Sequence, residues 1–211
     1  MTAEIPAGPW RAAFDEAWHS WSAGNFGIGA VLYDPATDEV ISRGRNRVLQ
    51  ATPEPKLLTG NFTAHAETNA FAALDRMNAN GLHLYTTLES CPMCDGMALM
   101  LQVDHTHFAE HDEMIQGAYE VWQHNPFTAE RVAPRTGPLG GAASQLARLL
   151  PLTFVAVYLD ETPVADNARA TRPDLYRLAH EVIADGSLAA VRDGGGDIAD
   201  ALDMLRPRLP A

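Results

Sequence analysis

Two short strings hold the residues whose types and spacing can do chemistry. Ala64-His65-Ala66-Glu67 offers an imidazole with a carboxylate two positions on, and Ser90-Cys91-Pro92-Met93-Cys94 offers two thiols three apart. These are the only cysteines in the chain. Their spacing disfavours a structural disulfide and leaves a metal site or a redox pair. Two thiolates and an imidazole are zinc ligands. His65, Cys91 and Cys94 would leave the fourth tetrahedral position to water, which separates a catalytic zinc from a closed structural one. Glu67 is then not needed as a ligand. It is placed to take a proton from that water and to hand it on.

Each string opens a predicted helix, and that placement matters. The partial positive charge at a helix N-terminus favours thiolate over thiol. Pro92 has no N–H to lose and suits a first turn. Mid-helix, His65 and Glu67 would point nearly apart. In the first turn of a helix aimed end-on at the ion, both can reach it.

The elements that must position these strings follow from pattern. Trp10, Phe14, Trp18 and Trp21 make one apolar helical face over residues 9–23. Residues 26–33 and 39–45, joined by Asp34-Pro35-Ala36-Thr37, read as a β-hairpin. Gly27 and Gly29 in its first strand mark either a close approach, such as that of a substrate, or packing. A helix capped by Thr63 should run to Asn80-Gly81. A strand is expected at 82–88, a helix from Pro92 to about 101, a strand at 103–109 and a helix over about 112–123. A turn-rich loop at 134–141, a short helix at 142–150 and a last strand at 153–159 complete the order. Such alternation predicts an α/β fold, a three-layer α-β-α sandwich around one central sheet. A helix between the last two strands allows them to be parallel. Residues 1–159 form the expected zinc domain. Residues 160–211 read as a C-terminal helical extension on the same domain, two helices around Gly194-Gly195-Gly196. That triplet follows no strand and lacks the Lys-Ser/Thr of a phosphate loop.

Composition narrows the partners. The 211 residues are 46% hydrophobic and 20% charged, a globular make-up with no apolar run near the roughly 20 residues that span a bilayer. The first ten residues carry no secretory pattern, so a cytoplasmic protein is expected. The net charge is −12, whereas a protein that grips nucleic acid needs a basic face. The densest basic cluster, Arg43, Arg45 and Arg47, is thin. A small substrate is expected, and no nucleic acid or membrane partner. His105 and His107 alternate on a strand and share a face, too little for a second metal site.

On Thr63-Ala64-His65-Ala66-Glu67 and Thr87-Leu88-Glu89-Ser90-Cys91-Pro92-Met93-Cys94, with weaker matches at Gly29-Ala30-Val31 and Asn46, residues 10–159 resemble the cytidine/deoxycytidylate deaminase superfamily. The likeness is greatest to its guanine deaminase and tRNA adenosine deaminase branch. It implies a cytidine deaminase-like fold with a mixed five-stranded sheet and one zinc per chain. It also implies hydrolytic removal of an exocyclic amino group as ammonia, with Glu67 moving protons. By the same resemblance Asn46 would hydrogen-bond the substrate ring and the backbone around Ala66 would line the pocket. The segment after the fourth strand would close it and set specificity. His111, Asp112 and Trp122 lie there, able to stack on a planar ring or accept from its N–H groups. Ser90 stands where many relatives have proline, which bears on the pocket entrance. Relatives are commonly homodimers. The expected substrate is a small nucleobase, nucleoside or related aminated heterocycle, purine-like by preference. A tRNA adenosine deaminase is the alternative and predicts a basic rim. A silent zinc-binding scaffold is the alternative of another class, and it gives Glu67 no task.

Overall fold

A computed structural model describes residues 4–210. Helix α1 (Pro9–Ser22) starts on Pro9 and buries Phe14, Ala17 and Trp18 along one stripe, as its aromatic spacing predicts. Strands β1 (Gly29–Asp34) and β2 (Glu39–Arg45) form the antiparallel hairpin, with a register irregularity at Leu32/Tyr33. Strand β3 (His83–Thr86) pairs antiparallel with β1, and β4 (His105–Phe108) lies parallel to β3. The two-residue β5 (Arg135–Thr136) adds parallel to β4, giving a mixed five-stranded sheet of order β2-β1-β3-β4-β5.

Side-chain alternation separates the layers. Ala30, Leu32 and Leu84 face α2 (Ala66–Ala72) and α3 (Pro92–Leu101), while Val31 and Tyr85 pack towards α1. Two glycines set how closely helices approach the sheet. A Cβ on Gly29 would stand 2.1 Å from the Ala13 carbonyl oxygen, and one on Gly44 would stand 2.2 Å from that of Ala66. Gly29 therefore serves packing against α1, not a substrate. Gly44 lets the start of α2 seat against β2.

Several expected elements are redrawn. The predicted strand at 153–159 is the second half of one helix, α5 (Gly141–Tyr158), which runs through Pro151. Proline costs a helix one hydrogen bond and about 3 kcal/mol. Here Leu149, Leu150, Leu152 and Val155 bury on both sides of it, and the Thr153 hydroxyl donates to the Leu150 carbonyl at 2.6 Å. The fifth strand sits instead in the loop expected at 134–141. It is too short to show a period. Residues expected as a helix over 112–123 form turns and a 3-10 segment, Ala118–His124, followed by the single turn α4 (Pro126–Ala129). This excursion is the crossover that makes β4 and β5 parallel. Helix α2 starts at Ala66 and stops at Ala72, with His65 and not Thr63 as its N-cap.

The tail holds four helices where two were expected: α6 (Pro163–Thr171), α7 (Pro173–Ala184), α8 (Ser187–Asp193) and α9 (Ile198–Leu205). Their apolar faces join Phe14 and Trp18 of α1 and the leucines of α5 in one hydrophobic cluster. Among the described residues no helix is long and apolar enough to cross a membrane.

Candidate metal centre and substrate cleft

Helices α2 and α3 begin alike. Their N-caps, His65 (φ −74°, ψ 165°) and Cys91 (φ −71°, ψ 164°), are extended, and neither side chain caps its helix. Both side chains are thereby directed to each other. The Sγ atoms of Cys91 and Cys94 stand 3.6 Å apart, and each is 3.6 Å from His65 Nδ1. With Zn–S of about 2.3 Å and Zn–N of about 2.0 Å, the ligands of a tetrahedral zinc stand roughly 3.5–3.8 Å from one another. The three donor atoms match those edges in type and spacing, and no other such cluster occurs among the described residues. His65, Cys91 and Cys94 form the zinc-binding triad.

Electrostatics divide the two thiols, favouring the thiolate at Cys91 alone. The Cys94 thiol beside Cys91 pulls it down to about 4, with His65 adding to the effect, while Cys91 and burial push Cys94 well above the ordinary thiol range. His65 is raised by its contact with Cys91.

Glu67, in the first turn of α2, is 4% exposed. Its Oε2 lies 3.5 Å from Cys94 Sγ, and its Oε1 accepts from the Thr86 hydroxyl at 3.3 Å. Burial, then the charge of Cys91, raises its pKa. The first helical turn thus brings His65 and Glu67 to one place despite their spacing.

A cleft of about 150 Å³ opens beside His65, lined by Phe26, Ile28, Asn46 and Leu88, by Asp112 and Met114, and by Arg148, Pro151, Val155 and Val164. Asn46 Oδ1 accepts from the Val48 N–H at 3.2 Å. That bond orients the amide and leaves its NH₂ as the donor for a ligand. Asp112 is raised by burial, with Arg148 Nη2 at 3.8 Å from its Oδ1.

The other sequence-derived positions are not part of the cleft lining. Ala66 is fully buried against Gly44 at the start of α2. Ser90 is buried directly before Cys91, and its hydroxyl has no protein partner. His111 Nδ1 lies 3.0 Å from Glu89 Oε2. Trp122 lies over Gly96 of α3, the edge of its indole 3.4 Å from where a Cβ would be.

Sequence reasoning missed the wall made by α5 and α6. Arg148 donates to Glu113 at 3.0 Å, and Arg172, at the α6–α7 junction, pairs with Glu113 and with Glu110 at 3.2 Å. This network ties the segment carrying Asp112 to the tail. These partners lie 35 to 62 positions apart, so no local pattern could announce them. Two of the three arginines of the basic cluster are ion-paired, Arg45 with Glu16 at 3.4 Å and Arg47 with Glu54 at 2.8 Å, and Arg43 is exposed.

Residues 9–110 match the family profile described as the cytidine and deoxycytidylate deaminase zinc-binding region. The chain is 30% identical over 151 residues to tRNA(Ile)-lysidine synthase of Deinococcus radiodurans, covering 68% of this chain and 21% of that protein. It is 34% identical over 106 residues to the tRNA-specific adenosine deaminase of Bacillus subtilis, covering 48% of this chain and 60% of that one. The chain thus spans less than two thirds of each of these relatives. A solved structure from a study of A-to-I editing by tRNA:A34 deaminases superposes with TM-score 0.52 at 23% identity, over 65% of this chain and 96% of the other. The guanine deaminase of Nitrosomonas europaea superposes with TM-score 0.51 at 22% identity, over 70% and 86%. These two likenesses concern the fold.

Proposed function

Given that the chain belongs to the cytidine and deoxycytidylate deaminase superfamily, we propose that it is a hydrolytic deaminase of a small nucleobase, nucleoside or related heterocycle, purine-like by preference. The observation that carries this reading is a buried Glu67 carboxylate at the zinc triad, beside a cleft with room for one ring system.

When bound by His65, Cys91 and Cys94, zinc supplies the Lewis acidity that makes water a nucleophile near neutral pH. Glu67 takes one proton from the water that adds to the amino-bearing ring carbon, and passes it to the adjacent ring nitrogen. It carries the second proton to the departing amine. The C–N bond breaks, ammonia leaves, and the ring keeps a carbonyl. The Asn46 NH₂ would hold a ring acceptor, and Asp112 a ring N–H. Ser90, Ala66, His111 and Trp122 would act through the shape of the surrounding wall.

The lining favours a small substrate over tRNA. Its single cation, Arg148, is held by Glu113, and helix α6 contributes Val164 to the wall. A polyanion would meet no basic rim there. Two thiolate ligands suit the reducing cytoplasm. A homodimer remains our reading by family likeness.

The test is an ammonia-release screen of the zinc-loaded protein. Its panel holds guanine, guanosine, adenine, adenosine, cytosine, cytidine, aminated triazines and a tRNA anticodon stem-loop. A free base, nucleoside or triazine should react. Turnover of the stem-loop alone transfers the assignment to tRNA adenosine deamination, which the Bacillus subtilis relative supports. Glu67→Ala should keep about one zinc per chain and release no ammonia. Full activity in that variant sinks the mechanism.

A further inference from the structure

A second cavity, larger and of different chemistry, adjoins the zinc cleft. It measures about 470 Å³ and is lined by Phe26, Val48, Leu49, Phe62, Phe154 and Tyr158, with no charged residue in its walls. Phe26 is a wall of both cavities. The chain after β2 gives Asn46 to the cleft and Val48 to the second cavity, and α5 gives Val155 to one and Phe154 to the other. The two spaces therefore stand on either side of a shared wall, Phe26. Phe26 stacks on Phe154 with centroids 3.8 Å apart, and Phe154 lies 4.7 Å from Tyr158.

The mouth of this cavity is unusually apolar. Leu49 is 53% exposed, Phe62 88% and Tyr158 57%. Single exposed apolar residues mean little, but several around one cavity mark a binding surface. Phe62 lies three positions before His65, in the loop that leads into the metal site.

Resting on the deaminase reading, we infer that this cavity is a second subsite of the same active site, taking an uncharged, flat apolar group carried by the aminated ring. The zinc cleft has room for the ring, and a substituent that passes Phe26 would enter the second cavity. Stacked aromatic walls favour a planar group. A phosphate would find no Lys or Arg there, and a cationic group no carboxylate. The substrate class is then an aminated heterocycle bearing an aryl or similar apolar substituent, and not a nucleotide.

Calorimetry with zinc-loaded Glu67→Gln protein, in which nothing turns over, tests this. The probes are guanine, 9-benzylguanine and GMP, with the adenine and cytosine counterparts. The benzyl derivative should bind about tenfold or more tightly than the bare base, and the nucleotide no more tightly. Phe62→Ser with Tyr158→Ser, both exposed, should bring the benzyl derivative down to the affinity of the bare base. Equal binding of base and benzyl derivative overturns the inference, as does a preference that survives the double variant. So does a double variant that keeps the preference and dissociates a dimer in sedimentation, since the surface is then a self-contact. If no base reacts in the ammonia screen, the deaminase reading falls separately. Benzyl alcohol, followed on the amide resonances of Leu49 and Phe62, then reads the cavity alone. Binding lost in the double variant upholds an apolar ligand site, and no binding removes it.

Discussion

At the scale of single residues, function rests on which atoms remain available after local bonds are made. His65 and Cys91 occupy N-cap positions yet spend no side-chain bond on their helices, so their donor atoms are left for the metal. Asn46 spends its Oδ1 on Val48 and keeps its NH₂. Asn46→Asp exchanges that donor for a carboxylate beside a ring acceptor. We expect kcat/KM to fall roughly 30-fold, about 2 kcal/mol, with zinc content unchanged. Steady-state kinetics with metal analysis checks it, and an unaltered kcat/KM removes Asn46 from substrate binding. The two motif strings made the triad and Glu67 legible in advance. Arg148 and Val164 were not, because their place in the cleft depends on how α5 and α6 fold back.

At the scale of elements, the two-residue β5 matters for the side chain it carries. Arg135 is largely buried, with Nη2 3.5 Å from Glu89 Oε1 and Nη1 donating to Asp95 Oδ2 at 3.3 Å. Glu89 and Asp95 flank the Cys91–Cys94 pair on either side, so one guanidinium clamps both ends of the thiolate turn. Removing one partner of a buried ion pair costs about 3–5 kcal/mol. Arg135→Met should lower the melting temperature and speed zinc loss to a chelator. Retention of wild-type zinc kinetics would show that the clamp is not felt at the metal. Gly44 is the second element-scale control. Its missing Cβ lets α2 reach β2, and Gly44→Ala should destabilise by about 1–3 kcal/mol through overpacking and displace His65. Denaturant melts and zinc affinity report the two effects separately.

At the scale of the whole molecule, the tail is part of the core. Leu146, Leu149, Leu150 and Val155 of α5 share a cluster with Leu175, Leu178, Ile198 and Leu202 from the tail helices. A chain ending at Leu159 would expose that face, and we expect it to aggregate or to lose cooperative unfolding. A soluble, cooperatively melting truncation would make the tail a dispensable extension. A second whole-molecule effect comes from the sheet face beyond α1. There His107 stacks on Tyr85 and lies 3.2 Å from His83. Burial, then repulsion from His105 and His83, lowers its pKa from 6.5 to about 4. Above about pH 6.5 the ring is neutral folded or unfolded. Below that the unfolded chain takes up a proton that the folded one refuses, so stability drains as the pH falls towards about 4. Melting temperatures should decline over that window, and His107→Gln should flatten the decline.

The sequence by itself determined what depends on neighbours along the chain. The helix start at Cys91, the donor set for zinc, the amphipathic face of α1 and the β1–β2 hairpin all follow from types a few positions apart, whereas the start of α2 moved from the expected Thr63 cap to His65. Tertiary structure decided whatever depends on distant burial. Pro151 reads locally as a helix end, yet α5 continues because leucines on both sides of it gain a common core. β5 is too short for any period, and its pairing with β4 exists only because the crossover returns there. Gly29, ambiguous in sequence, is fixed by the Ala13 carbonyl beside it. The cleft wall and its arginine network join residues far apart in the chain, and local chemistry carries no trace of such contacts until the layers close.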